Sequence, residues 1–88
     1  MRVYGHTEDE HDQVPTSPRE LAEISFVVTP DETRKIAAFL LHAADEMERM
    51  GPAYGHLHLT DVQKSFDGSP HVTVFNTVTV QSMYGEPA

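Results

Sequence analysis

The segment TPDETRKIAAFLLHAADEMERMGP, residues 29–52, constrains this chain more than any other part of it. Thr29 stands where an N-cap oxygen is needed, Pro30 at the first helical position, and Glu32 three residues after the cap. Gly51 and Pro52 then close the run, since glycine ends a helix easily and proline cannot continue one. The spacing predicts a helix from about residue 30 to 50. Ile36, Phe39, Leu40, Ala43, Met47 and Met50 recur at three- and four-residue intervals and form one apolar face, with Lys35, His42, Asp45, Glu46 and Arg49 on the wet side. Such a face demands a second layer to pack on. His42, one turn before Glu46, reads as a solvated or ion-paired helix histidine.

That layer is expected to be β. ELAEISFVVT sets Ala22, Ile24, Phe26 and Val28 against Glu23, Ser25, Val27 and Thr29, the period-two pattern of a half-buried strand. MRVYGH is a shorter candidate. Between them TEDEHDQVPTSP is acidic, has two prolines and no apolar period, so residues 7–18 read as a loop. After the helix, YGHLHLTDV and HVTVFNTVTV flank QKSFDGSP, where Asp67-Gly68 is a hairpin turn signal. The tail, residues 82–88, reads as frayed. The predicted fold is α+β, in the order β-β-α-β-β, with one four-stranded sheet and a single helix packed on one face. The favoured strand order is 1-2-3-4 with a parallel central pair, and its rival is an all-antiparallel 2-1-3-4. Leu57 and Leu59 are then expected in the core with Ile24, Phe26 and Val28. His56, His58 and Thr60 would lie on the open face. A two-residue turn at Asp67-Gly68 would place Thr60 across from Phe75, His58 across from Thr77 and His56 across from Thr79.

Composition narrows the function classes. At 88 residues the chain reads as one small domain, 1–88, with a single core. It has no cysteine, which removes disulfides and thiolate zinc cages and fits a reducing cytoplasm. No apolar run approaches the ~20 residues of a membrane span, and the N-terminus lacks an apolar export signal. Fourteen acids against six bases give a formal charge of −8, which disfavours nucleic acid and anionic lipid and favours a basic protein partner.

Two chemistries attach to the histidines. HLT at 58–60 and HVT at 71–73 echo paired His-x-Thr phosphoesterase signatures, whose imidazoles must meet at one phosphate. In the register above, His71 lies six residues along its strand from the partner of His58, roughly 20 Å at ~3.3 Å per residue. On that ground the chain is expected not to be an enzyme. Alternatively, His56 and His58, two apart on one strand face, can share a zinc ion if His6, an acid of the loop or a second subunit supplies a third ligand. No cofactor is otherwise expected.

Residues 21–61, LAEISFVVTPDETRKIAAFLLHAADEMERMGPAYGHLHLTD, resemble the bacterial immunity protein 32 family, whose members join a strand, a comparable FLLHAADEM helix and a histidine-bearing strand. The matching positions are Leu40, Leu41, His42, Ala43, Asp45, Glu46, Met47, His56 and His58; Gly55 stands where an acidic or bulky residue is expected. The resemblance implies a small cytoplasmic α+β protein that neutralises a polymorphic toxin by binding it. The residues expected to face such a basic toxin domain are Glu8, Asp9, Glu10, Asp12, Asp45, Glu46, Glu48 and Phe75. The uncovered sheet face also predicts a homodimer. The competing expectation is a small homodimeric zinc-binding protein using the strand histidines.

Overall fold

The computed structural model describes residues 1–7 and 17–78. The loop acids Glu8, Asp9, Glu10 and Asp12, the position of Thr79 and the tail 82–88 lie outside the described residues. Helix α1 spans Pro30–Met50 as the sequence predicts, and its start is a complete capping box. The Glu32 amide donates to Thr29 Oγ1 at 3.1 Å, and the Thr29 amide donates to Glu32 Oε1 at 2.9 Å. Two of the amides that a helix start leaves orphaned are thus satisfied. At the other end Gly51 takes φ 54°, the left-handed region that glycine enters without a Cβ penalty, and its amide donates to the Met47 carbonyl.

The buried stripe of α1 is narrower than expected. Ile36, Phe39 and Ala43 are buried, whereas Leu40 is 47 % exposed and Met50 is exposed as well. The reason lies in what covers the helix. Strand β3 (His56–His58), a four-residue helix α2 (Leu59–Val62), a 3-10 turn (Lys64–Phe66) and strand β4 (Thr73–Phe75) follow it in the chain. From these Leu59 and Phe66 join Ile36 and Phe39 in one cluster, with Leu57, Val72 and Val74 packed against it. Tyr54, in the link after α1, is also buried, and its hydroxyl donates to the Val74 carbonyl at 2.8 Å. A buried phenol needs such an acceptor.

The single four-stranded sheet is not formed among the described residues. The structure has two separate two-stranded antiparallel sheets instead, β1 (Val3–Gly5) with β2 (Arg19–Leu21) and β3 with β4. Neither the parallel central pair nor the 2-1-3-4 order occurs there. Residues 23–28, expected to lie within a strand, enter no ladder. Ile24, Phe26 and Val28, expected in the core, are exposed. Alternation fixes which side chains share a face, but it does not supply a neighbouring strand to bond with.

The β3–β4 register differs as well. His56 faces Phe75, Leu57 faces Val74 and His58 faces Thr73. The partner of His58 is therefore Thr73 rather than Thr77. The connection is no tight hairpin: α2 and the 3-10 turn occupy it, and only the final Asp67-Gly68 step is a turn. The Asp61 carboxylate accepts from the His58 amide at 3.2 Å, bending the chain out of the strand there. Beyond it the Leu59 amide still reaches the Val72 carbonyl at 2.9 Å. Strand β4 is followed by Asn76, whose side-chain oxygen accepts from the Val78 amide at 3.2 Å.

Candidate functional site

Because the register moves by an even number of residues, the side-chain faces survive. Leu57 and Val74 point to the core, and His56, His58, Thr73 and Phe75 share the opposite face. The rings of His56 and His58 meet edge to face at 4.9 Å between centroids. His56 also lies against Phe75, at 5.1 Å with the planes tilted by 35°. His58 Nδ1 is 3.2 Å from the Thr73 hydroxyl, which fixes that imidazole in orientation. The pair is thus held from both sides, one ring by an aromatic neighbour and the other by a hydrogen bond.

The chemistry open to this face follows from those contacts. His6 does not join it: it follows β1 in the other sheet, and among the described residues no three His, Cys, Asp or Glu side chains gather as a metal cage. The separation expected between His58 and His71 is also corrected. With Thr73 as the partner of His58, His71 stands only two residues further along, about 7 Å at ~3.3 Å per residue. Thr60 sits in α2, off the strand that would align it with His58, and the Thr73 hydroxyl is engaged by His58 itself.

The acidic positions on α1 divide into two kinds. Asp45 and Glu48 are exposed. Glu46 is paired with Arg49, whose Nε donates to Glu46 Oε2 at 3.0 Å. The Arg49 hydrogen bond and charge hold the Glu46 carboxyl below its ordinary range. Its charge is therefore partly matched within the helix, and it offers a partner less than Asp45 or Glu48. Glu46, one turn after His42, is thus hydrogen-bonded to Arg49, and His42 is exposed. Lys35 pairs with Asp31 at 3.3 Å.

A second surface lies where the expected sheet is open. Residues 23–28, which belong to no helix or strand, line an open groove of about 730 Å³ together with residues 69–72, which lead into β4. Phe26 is 50 % exposed, Ile24 47 % and Val27 96 %. None of the backbone groups of residues 23–28 is hydrogen-bonded among the described residues. The groove is lined by Glu23, Glu32, His6 and His71, with no lysine or arginine among the described residues. The sequence contained the signal for this surface, an apolar alternation, but that same signal reads as core when a covering layer is assumed.

No helix among the described residues is long and apolar enough to cross a membrane. No family model, curated protein or solved structure matches the chain.

Proposed function

We propose that this chain is a non-enzymatic protein-binding module that neutralises a bacterial toxin by direct binding in the cytoplasm. The observation that carries the binding reading is the run of exposed apolar side chains Ile24, Phe26, Val27 and Val28, set among acids. A contiguous apolar surface of this kind on a small domain is characteristic of an interaction site. The charge of −8 selects a basic partner, through attraction at a distance and repulsion of acidic competitors. The toxin is suggested by the resemblance of residues 21–61 to immunity protein 32. Expressing the chain with the toxin domain encoded beside it is the test. Rescue of growth together with a stable one-to-one complex is the expected result, and a neighbouring gene without a toxin domain, or no rescue, removes the toxin reading.

The second reading, a homodimer holding zinc between strand histidines, is favoured by the contact between His56 and His58 and by the Thr73 hydrogen bond that orients one ring. A second copy would bring two more imidazoles to complete four ligands. Stoichiometric zinc, one ion per dimer and lost on replacing both histidines by alanine, is the outcome that supports it. A protein whose melting temperature ignores added zinc ends it.

A further inference from the structure

We infer that residues 23–28 are an acceptor edge onto which a basic partner adds an extended strand. This rests on the protein-binding reading above and names its surface. Three observations converge on it. Among the described residues the backbone of this segment makes no hydrogen bond, so its amides and carbonyls are available to a strand laid alongside. The residue types alternate as in a strand, Ile24, Phe26 and Val28 interleaved with Glu23, Ser25 and Val27, so an extended backbone would part them onto two sides. The segment also lines an open groove, and Val72 and Thr73 line it as well.

The lining charge chooses the occupant. Among the described residues Glu23 and Glu32 border the groove and no lysine or arginine does. A segment with apolar residues at every second position and Lys or Arg between them would set its hydrophobic side on Ile24 and Phe26 and its cations toward those carboxylates. A second copy of this chain is the poorer occupant. It would bring its own Glu23 and Glu32 to the same cleft, and a charge of −8 on each molecule opposes the approach. Six residues in an extended strand span about 20 Å at ~3.3 Å per residue, so a hexapeptide is long enough to pair with them.

The test titrates isotopically labelled full-length chain with the blocked hexapeptide Lys-Val-Lys-Val-Lys-Val, following amide resonances and hydrogen exchange. Saturable shifts centred on residues 23–28 and 70–73 are expected. Exchange should slow at least tenfold at alternate amides of 23–28, and affinity should fall several-fold in high salt. The Glu-Val counterpart should leave the spectrum unchanged. Absence of shifts at millimolar peptide, or shifts confined to the His56–Phe75 face, would overturn the inference. So would amides of 23–28 already protected in the free chain: protection that grows with protein concentration assigns the edge to a second copy, and protection independent of it means the edge is paired internally. The peptide result stands apart from the toxin test. Peptide binding without rescue leaves the edge and removes the toxin, and rescue without peptide binding does the reverse.

Discussion

Tyr54 illustrates how much single residues carry in a core this small. It is buried to 1 % exposure between α1 and β4, although neither periodicity nor turn chemistry marks it in the sequence. Tyr54→Phe keeps the ring and removes the hydroxyl that the Val74 carbonyl accepts, so about 1 kcal/mol of stability should be lost near neutral pH. Burial also holds the Tyr54 phenol above its ordinary value of 10.0. The sign follows from linkage. Below that value folded and unfolded chains both keep the proton and the contribution is complete, whereas above it the unfolded chain ionises first and stability falls until the folded phenol also titrates. The advantage of the native protein over Tyr54→Phe should therefore shrink above pH 10, which urea melts at pH 8 and above pH 10 would measure. A second pair of residues separates burial from mere apolarity. Phe39→Ala empties the centre of the cluster and should cost about 3–5 kcal/mol. Leu40→Ala, next to it but 47 % exposed, should cost about 1 kcal/mol. Equal losses in the two melts would contradict the narrow buried stripe.

Among the elements, the helix was legible and the sheet was not, and the difference is one of locality. Thr29, Pro30, Glu32 and Gly51 act on backbone groups at most four residues away, so their spacing alone specifies both ends of α1. Thr29→Ala should accordingly cost about 1 kcal/mol, with a matching loss of helical circular dichroism near the melting midpoint. The face assignment of His56 and His58 was legible for a similar reason: it needs only the period of two, and an even change of register preserves it. Which strand pairs with which is a long-range matter. Asp67-Gly68 does form a turn, but Leu59–Val62 and Lys64–Phe66 coil within the same connection, and the tight hairpin assumed from the dipeptide is absent. Likewise the alternation of residues 23–28 gave no information on whether a partner strand was within reach. The strand expected over residues 20–29 is accordingly formed only as Arg19–Leu21, and residues 23–28 enter no ladder. The His58–Thr73 contact was hidden for the same reason, because it exists only in the observed register.

At the scale of the whole molecule, association is governed by charge as well as by shape. The proposed homodimer would use the face carrying His56, His58 and Phe75, since this face lies opposite the core and offers two imidazoles and a half-exposed ring. It must form against mutual repulsion of two chains of −8, so light scattering should detect dimer more readily as salt is raised. A monomer at high micromolar concentration in both low and high salt would remove it. Association with a basic toxin should respond to salt in the opposite sense. Glu8, Asp9, Glu10 and Asp12 lie within five residues of sequence, and Asp45 and Glu48 are exposed on α1, so encounter with a cationic surface is accelerated at a distance. Steering acts on the approach, whereas the docked complex is held by short-range contacts that salt screens less. The association rate should thus fall at least tenfold between about 10 mM and 150 mM salt, as the screening length shrinks from about 30 Å to about 8 Å. The dissociation rate should change far less. Replacing the four loop acids by lysine should slow association at low salt and flatten its salt dependence, leaving dissociation nearly unchanged. Stopped-flow mixing with the toxin domain measures both rates, and a dissociation rate that carries most of the salt effect would place these carboxylates in the contact itself instead of in the steering field.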